Sequence, residues 1–448
     1  MSLKKVGMIA LVFALVFVVA FAASPSVAQA QCAKTSSVNM ANLESSVASI
    51  VITAYNPDGT EAGVPFDDTI PGDSGAVYFP IPNIPAGFSG SLVVSSDRDV
   101  AAIANIVCSD FSAGGSYNAG TGGSTSVKLP LLFKDNSGFD TQFSVQNAGA
   151  SDANVTVNYS DGTSAPVATI PPGAAKVYDQ RTETHPDAIF AAEVTSDGEP
   201  SLAAAPQASP APSSAHTGAA TSGVTDPVFP LVNANNANYI TGVQVQNAGT
   251  SDTDVTLSYT PSAAGTACTE TQTVPAGDST TFALAVFSGN PAGITTTCIN
   301  GERFIGSAQV TANSTSQLLV GLVNQLLPGT NGEAYGSFSS DDATNTVVMP
   351  LIMDRNSGYF TGINVMNVGS SDATVDCSFT DTDYAISESL APGEALTAIQ
   401  QGQIADGYIG AGTCTTTGNS AGKIVATVNQ LNGAAAGDQL LVYEGINR

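Results

Sequence analysis

The sequence predicts an all-β protein in which four tandem β-sandwich domains follow an N-terminal signal peptide. Three observations predict this fold: a twenty-residue segment recurs, the predicted strands alternate apolar and polar residues, and turn residues return at short intervals. The recurring segment is TGVQVQNAGTSDTDVTLSYT from Thr241 and TGINVMNVGSSDATVDCSFT from Thr361, with a looser copy, TQFSVQNAGASDANVTVNYS, from Thr141. Repetition of this kind sets the number of domains.

Residues 1–30 have the features of a signal peptide. Lys4 and Lys5 precede an apolar run from Met8 to Ala22, and Ala28-Gln29-Ala30 forms a small-x-small cleavage site. The run is shorter than the roughly 20 apolar residues that a membrane-spanning helix needs. We therefore expect a secreted chain that starts at Gln31, has no membrane span, and is extracellular or associated with the cell surface.

The charge of the chain limits its partners. The formal net charge is −26, and loss of Lys4 and Lys5 with the signal peptide takes it to −28. Such a surface repels phosphate backbones and anionic lipid heads, so nucleic acid and electrostatic membrane binding are not expected. The expected partners are a protein or glycan at the cell surface, or another copy of the chain through self-assembly.

The repeat spacing gives the domain boundaries. Asn147, Asn247 and Asn367 occupy one repeat position at intervals of 100 and 120 residues, and Asn42 is a degenerate match 105 residues before the first. The predicted domains are 31–110 (divergent), 125–208, 225–328 and 345–448. Gly-, Ser- and Pro-rich stretches are predicted to join them as semi-flexible linkers with little contact between domains: 111–127, 198–227 and 327–345.

Each domain after the first opens with a proline and two apolar residues, which predicts the start of a strand because proline cannot donate to a ladder. These openings are Pro130-Leu131-Leu132, Pro230-Leu231-Val232 and Pro350-Leu351-Ile352. A polar turn follows, in which one position before an aromatic residue is Gly or Asn and is predicted to be left-handed. That position is held by Gly138, Asn238 and Gly358.

The next strand alternates with period two and stops at an Asn-x-Gly turn, which we interpret as structural. The turn residues are Asn147, Gly149, Asn247, Gly249, Asn367 and Gly369. Further strands follow a Pro and Gly turn, and two more close each unit, as in FIGSAQVTANSTSQLLVGLVNQL from Phe304. About seven short strands per unit, with turns every 8 to 12 residues, is the pattern of an immunoglobulin-like sandwich.

Six cysteines in an exported chain predict three disulfides, with fifteen connectivities allowed. Proximity within a repeat favours the pairs Cys32–Cys108, Cys268–Cys298 and Cys377–Cys414. Cys377 and Cys414 fall on two different predicted strands, which suggests a bridge between the two facing sheets.

The V-x-V-x-N-x-G strand and turn, with the I-P-P-G segment at Ile170 to Gly173, resembles a known style of protein. It is similar to secreted bacterial proteins of tandem immunoglobulin-like, CARDB-like repeats, and the likeness covers about residues 33–448. Such modules are associated with surface attachment, extracellular scaffolding and spacing of other domains. The resemblance implies no catalytic residue and no cofactor.

Sites for chemistry are few. GDSG at Gly72 to Gly75 resembles the nucleophile segment of trypsin-like proteases, but His185 and His216 both follow it, and the segment aligns with turns in the other units. The acidic pair Asp67 and Asp68, like Asp341 and Asp342, offers oxygen ligands for calcium but lies in no calcium-binding pattern. We therefore predict no catalytic, metal-binding or cofactor-binding residue.

Two further features bear on partners. Tyr239, Tyr359 and Phe139 head alternating strands, where an aromatic residue belongs either to the core or to a sugar-stacking platform. SYNAG from Ser116, AYGSF from Ala334 and VYEGI from Val442 indicate a tyrosine and glycine strand at the end of each unit, which would pair with the edge of a neighbour.

The sequence thus favours a non-enzymatic, secreted or cell-surface structural and interaction protein, for adhesion or scaffolding, with four repeats arranged as a rod. The fourfold repetition of core positions with no repeated reactive residue carries this prediction. The alternative is an extracellular array of carbohydrate-binding modules.

Overall fold

The computed structural model describes residues 33–120, 122–136, 139–186, 188–197, 201–202, 207–209, 223–282, 294–327, 331–341, 343–417, 422–432 and 440–448. Every described residue belongs to one compact unit, Cys32–Arg448. The predicted signal peptide and Cys32, with its predicted bridge to Cys108, lie outside the described residues. The described part is all-β apart from one turn of 3-10 helix at Gln180–Thr182.

In chain order the strands fall within the four segments that the sequence repeat marks, and these segments are called repeats 1 to 4. Repeat 1 has β1 (Lys34–Asn42), β2 (Ala48–Tyr55), β3 (Phe66–Ile70), β4 (Gly75–Tyr78), β5 (Ser91–Ser96), β6 (Val100–Cys108) and β7 (Gly114–Asn118). Repeat 2 has β8 (Ser126–Lys134), β9 (Asp140–Asn147), β10 (Ala153–Tyr159), β11 (Ala168–Ile170), β12 (Ala175–Asp179), β13 (Ala188–Ser196), β14 (Ser201–Leu202) and β15 (Gln207–Ser209).

Repeats 3 and 4 are the most complete. Repeat 3 has β16 (Val228–Ala234), β17 (Ile240–Asn247), β18 (Thr253–Ala264), β19 (Cys268–Val274), β20 (Ser279–Phe282), β21 (Thr295–Thr296), β22 (Phe304–Ala312), β23 (Leu319–Leu327) and β24 (Asn331–Gly336). Repeat 4 has β25 (Thr346–Asp354), β26 (Phe360–Asn367), β27 (Ala373–Phe379), β28 (Ala385–Leu390), β29 (Ala395–Ile399), β30 (Tyr408–Thr417), β31 (Ile424–Leu431), β32 (Leu440–Glu444) and β33 (Ile446–Asn447).

Each repeat contains two sheets. In repeat 4 the sheets are β28-β27-β30-β25-β33 and β29-β26-β31-β32, and repeat 3 has the matching pair β16-β22-β18-β19-β21 and β20-β17-β23-β24. Repeat 2 has β11-β10-β13-β8 and β12-β9-β14, with β15 also on β9, and repeat 1 has β3-β2-β5 and β4-β1-β6-β7. The described part of repeat 1 begins with the equivalent of the second strand of the others.

The strand order departs from the immunoglobulin order that the strand count suggests. Immunoglobulin domains place the first strand beside the second and the seventh beside the sixth. Here the first strand of repeat 4, β25, pairs with the sixth, β30, while the seventh, β31, pairs with the second, β26. The pairs β26–β29 and β27–β30 keep the immunoglobulin arrangement. Alternation shows which face of a strand is buried, but it does not identify the strand's neighbours.

The core of each repeat comes from the alternating strands. In repeat 3, Val243 and Val245 on β17 face Val255 and Leu257 on β18, and all four are fully buried in one apolar cluster. Full burial of such a side chain contributes about 1.5–3 kcal/mol. The inward residues that the repeats share therefore contribute to the stability of each sandwich.

Strand positions are counted as in repeat 4, whose seventh and eighth strands are β31 and β32; the equivalents are β6 and β7 in repeat 1 and β23 and β24 in repeat 3. In repeats 3 and 4 the eighth strand supplies a tyrosine that fixes the proline-containing opening strand. The ladder between β25 and β30 shifts register around Pro350, and there the Tyr443 hydroxyl donates to Leu351 O at 2.5 Å and accepts from Leu351 N at 3.1 Å. Tyr335 contacts Leu231 in the same two ways. All three predicted linkers contain sheet strands: β7 lies in 111–127, β14 and β15 lie in 198–227, and β24 lies in 327–345. Composition suggested linkers because β7 and β24 are short and rich in Gly, Ser and Asn.

The Asn of each Asn-x-Gly turn is buried and connects three segments. Asn247 Nδ2 donates to Ser251 O and Val274 O at 2.8 and 3.1 Å, while its Oδ1 accepts from Gly249 N at 2.9 Å. Asn147 with Gly149 and Asn367 with Gly369 repeat all three bonds. In repeat 1, Asn42 bonds Ser46 O and Ile70 O in the same way.

Two disulfides lie among the described residues. Cys268–Cys298 joins β19 to the segment after β21. Cys377–Cys414 connects directly opposite residues of β27 and β30, which are neighbours in one sheet. The bridge between facing sheets expected from the sequence is therefore wrong, because the sixth strand lies beside the third in the same layer.

Candidate functional site: the joints between repeats and their junction

The four repeats contact one another through recurring faces, contrary to the expectation of little contact between domains. At joint 1–2, Ser91 Oγ on β5 donates to Gly173 O at 2.6 Å, in the turn before β12 of repeat 2. At joint 2–3, Leu131 on β8 packs with Leu322 on β23 and Ala334 on β24. In both joints the sheet that contains the third and sixth strands of one repeat meets the other sheet of the next.

The same arrangement continues at joint 3–4. Val228 on β16 packs with Met366 on β26 and Val425 on β31. Ser307 Oγ on β22 donates to Gly393 O at 2.5 Å in the turn before β29, and this repeats the contact between Ser91 and Gly173.

Joint 4–1 connects the two ends of the described chain. Val348 on β25 packs with Ala41 on β1 and Ala101 on β6. Arg448 Nη1 donates to Asp73 Oδ1 at 3.2 Å and also to Leu43 O. The four joints therefore close into a cycle in which each repeat uses one face toward the next repeat and the opposite face toward the previous one. Contacts of this head-to-tail kind form rings when the rotation closes.

Buried amides on the seventh strands link repeats 3, 4 and 1. Asn105 Nδ2 on β6 donates to Gln430 Oε1 on β31 at 3.2 Å. Asn429 Nδ2 on β31 donates to Gln325 Oε1 on β23 at 3.3 Å. The two pairs occupy equivalent positions, since Asn105, like Asn429, faces a Gln contributed by the preceding repeat in the cycle.

The eighth strands β7, β24 and β32 meet at what we call the central junction. Glu333 Oε1 on β24 accepts from Ser116 N on β7 at 2.6 Å. Glu444 Oε1 on β32 accepts from Gly336 N on β24 at 2.6 Å. Asn118 completes the set, because its side chain donates to Glu444 O at 2.7 Å and accepts from Glu444 N at 3.0 Å. Repeats 1, 3 and 4 are thus joined through carboxylates and an amide that bond to backbone of another repeat.

The strands of the central junction carry acidic side chains but no basic ones. Glu333 is fully buried, and no Lys, Arg or His occurs in the six strands β6, β7, β23, β24, β31 and β32. Burial raises the pKa of Glu444 to about 7, despite the hydrogen bonds that its carboxylate accepts from Gly336 N and from its own N–H. The junction therefore holds carboxyl groups without a countercharge on these strands.

The residues that resemble a hydrolase site lie in different repeats. Ser74 follows Asp73, whose φ of 52° places it in the left-handed region, as do the aligned Gly173 and Gly393 at 74° and 82°. His185 is buried in repeat 2, where Nε2 lies 2.9 Å from Gln180 Oε1 and the ring packs on Tyr159. Burial lowers the pKa of His185. His216 lies outside the described residues.

The acidic pairs show no ligand cluster in the part of the chain that the structure describes. Asp68 Oδ2 accepts from the Tyr78 hydroxyl at 3.0 Å, and its Oδ1 accepts from Thr69 N at 2.8 Å. Asp342 is not described. Among the described residues, no group of three or more His, Cys, Asp or Glu side chains is placed to hold a metal ion.

The aromatic residues at the strand heads belong mainly to the cores. Tyr239 and Tyr359 pack against the cores of repeats 3 and 4, whereas Phe139 is 38% exposed and lies near Phe133. The preceding turn position is left-handed at Asn238 and Gly358, with φ of 69° and 88°, and this confirms the predicted conformation there. Gly138 lies outside the described residues.

Sequence reasoning missed the residues of the joints. Glu333, Glu444 and Asn118 were not singled out, although the tyrosine and glycine stretches around them were predicted to form terminal strands. The VNQL segment is shared by β23 and β31. Its pairing of Asn with Gln across repeats would have been readable only from the relative positions of the domains.

No protein-family model matches the chain, and no curated protein sequence matches it. Within the described residues no helix is long and apolar enough to cross a membrane.

Proposed function

We propose that this protein is a secreted, non-enzymatic structural and interaction protein of the cell exterior, in which four β-sandwich repeats form one packed scaffold. The predicted signal peptide, the disulfides Cys268–Cys298 and Cys377–Cys414, and the low content of charged residues all support an extracellular location. A rod of separate domains is not part of the proposal, because the repeats pack against each other.

One observation carries the proposal: the repeated polar residues bond to other repeats. Ser91 and Ser307 donate to turn carbonyls of the next repeat, while Glu333 and Glu444 accept from backbone N–H groups of another repeat. These groups hold domains together, which is the chemistry of a scaffold. Two carboxylates, groups that reactions commonly use as acids or bases, are engaged in these contacts.

Cell fractionation combined with electron microscopy of the surface tests the proposal. We expect the protein in the medium or on the cell surface, and we expect a deletion strain to lose or disorder a surface structure. Retention in the cytoplasm, or an unchanged surface in the deletion strain, would contradict the proposal.

A glycan array with the purified protein addresses the carbohydrate alternative. Consistent hits that Tyr359→Ala weakens would favour binding modules. The Tyr359 side chain packs against the core of repeat 4, so a loss of binding has to be checked against the fold of the variant by circular dichroism.

A further inference from the structure

Joint 4–1 differs from the other joints because its two repeats do not follow each other along the chain. Repeats 1 and 2, 2 and 3, and 3 and 4 follow each other along the chain, so a peptide connection keeps their faces close together. Repeat 4 and repeat 1 are separated by the whole chain, and the contacting atoms of Arg448 and Asp73 are 375 residues apart in sequence. Only noncovalent contacts hold this joint among the described residues.

The two faces of joint 4–1 are chemically complementary. Repeat 4 presents Val348 and, beside it, Ile446 to an apolar patch of repeat 1 that contains Ala41, Ala101 and Leu43. Polar contacts frame the patch: Asn105 with Gln430, Asn118 with Glu444, and Asp73 with Arg448. Every copy of the chain carries both faces, so repeat 4 of one copy matches repeat 1 of another as well as its own.

We propose that joint 4–1 is exchangeable between copies, so that repeat 4 of one chain docks on repeat 1 of a second chain. The inference rests on the proposed scaffold function and names a second copy of this chain as the partner. Two chains that exchange once each form a swapped dimer, and continued exchange gives a head-to-tail filament, as expected for a contact that joins different faces. The exchange reuses the contacts of joint 4–1 observed within the chain, and it also opens the contact between Ser116 on β7 and Glu333 on β24, which joins repeat 1 to repeat 3.

Chain concentration controls the exchange. Closure within one chain is intramolecular and therefore independent of chain concentration, so dilute chains stay closed. Crowding of chains at a cell surface raises the intermolecular share. The pairing of eighth-strand edges predicted from the sequence would add a new edge contact, whereas exchange at joint 4–1 replaces an existing one.

A pair of complementary variants tests the exchange in secreted full-length chains. Ala41→Leu enlarges the repeat 1 face, and Val348→Ala empties the facing position in repeat 4. Each variant alone has a mismatched joint within its own chain. In a swapped pair of the two variants, one joint combines the enlarged and emptied faces, and the other joint is unchanged.

Native mass spectrometry of the mixed variants gives the result. We expect one-to-one heterodimers in the mixture at a level at least about tenfold above the dimer in either variant alone, since volume-conserving swaps restore packing. The double variant A41L/V348A is the control, and it should close on itself as a monomer. Only monomers in the mixture, with a folded double variant, would overturn the proposal.

Equal dimer in the mixture and in the single variants would also overturn the exchange, because it would indicate association through some other surface. Neither result touches the scaffold function itself. That function depends on the location of the protein and on the phenotype of the deletion strain.

Discussion

Repeat 4 has an acidic side chain inside the repeat, Asp354, and another at the contact with a different repeat, Glu444, and their surroundings differ. Asp354 is fully buried at the end of β25, where it accepts from Gly402 N, Ile404 N and Arg355 Nε at 2.8, 2.9 and 2.9 Å. Burial raises the pKa of Asp354, but these donors outweigh it and hold the pKa below the usual 3.8. Glu444 has one backbone donor in another repeat, and burial dominates its pKa.

The comparison teaches that three donors outweigh burial at Asp354 inside the repeat, whereas burial outweighs the backbone donors at Glu444 between repeats. Charged groups that are fully paired stabilise a fold over a wide pH range. A carboxylate whose pKa is raised by burial makes the stability of its contact depend on pH. We therefore expect the individual sandwiches to be robust and the central junction to respond to conditions.

Removing Asp354 should have the largest effect. Asp354→Ala leaves the N–H groups of Gly402 and Ile404 without their acceptor and should cost about 3 kcal/mol. Hydrogen exchange of the peptide that contains these amides should accelerate by about 100-fold. Asp406→Ala, at a carboxylate that is 82% exposed in its side chain, is the matched control and should change exchange little. Unchanged protection of these amides in Asp354→Ala would show that Asp354 does not stabilise them.

The second-largest effect should be a pH dependence of the central junction, opposite in sign to the pH dependence at Asp354. The folded pKa of Glu444, about 7, lies above its ordinary 4.5, so its stabilising contribution is complete below about pH 4.5 and is lost as pH rises through about 7. The loss is at most about 3 kcal/mol. The contribution of Asp354, whose pKa is lowered, is instead lost as pH falls below 3.8.

Hydrogen exchange at Gly336, corrected for the intrinsic rate, measures this dependence between pH 5 and pH 8. Protection should fall at the higher pH in the wild type, and Glu444→Gln should remove most of that change. A pH profile that is the same in both proteins would show that Glu444 is not the responsible group.

The amide pair at joint 4–1 should give a smaller effect. Asn105→Leu alone leaves the buried Gln430 amide without one partner and should cost about 1–2 kcal/mol. Replacing both residues with Leu should cost less than the sum of the single changes, because no buried amide is then left unpaired. A double-mutant cycle on thermal unfolding measures the coupling. Strict additivity would mean that the two residues do not interact.

The smallest effect should be a gain at joint 2–3. Asn324 Oδ1 is buried without a hydrogen-bond partner among the described residues. By ladder register, Ala208 holds the position in repeat 2 that Gln325 and Gln430 hold in repeats 3 and 4. Ala208→Gln should therefore supply the missing partner and stabilise the joint by up to about 1 kcal/mol. Ala208→Leu is the control, and an equal gain from Leu would contradict a hydrogen-bond origin.

Much of each repeat could be read from the sequence because its causes are local. The alternation of Val243 and Val245 predicted a β-strand with an inward face, and the Asn-x-Gly pattern predicted a turn at Asn247. The prediction that the strand is only half-buried is wrong, because Gln244 and Gln246 on its other face are 3% and 2% exposed. The conformation of Gly358 follows from the same kind of local restriction. Proximity within a repeat was enough to propose the partners Cys377 and Cys414.

The rest could not be read because it depends on which segments meet. The strands β7 and β24 were predicted to be linkers because they are short and rich in small residues. The structural role of β24 appears only in the tertiary structure, where the Tyr335 hydroxyl donates to Leu231 O on the opening strand. Glu444 is an unremarkable acid near the end of the sequence until Gly336 of another repeat faces it. Alternation likewise left the order of strands within the sheets open.

By itself, the sequence determined the all-β class, the fourfold repetition, the inward residues and the turn at each repeated Asn, because period-two alternation and turn chemistry act between near neighbours in the chain. Only the tertiary structure decided the sheet partners, the position of the disulfide within one sheet, and the cycle of joints that ends with Val348 on Ala41 and Ala101. These features arise from surfaces hundreds of residues apart, and a surface becomes a joint only when a complementary surface lies opposite it.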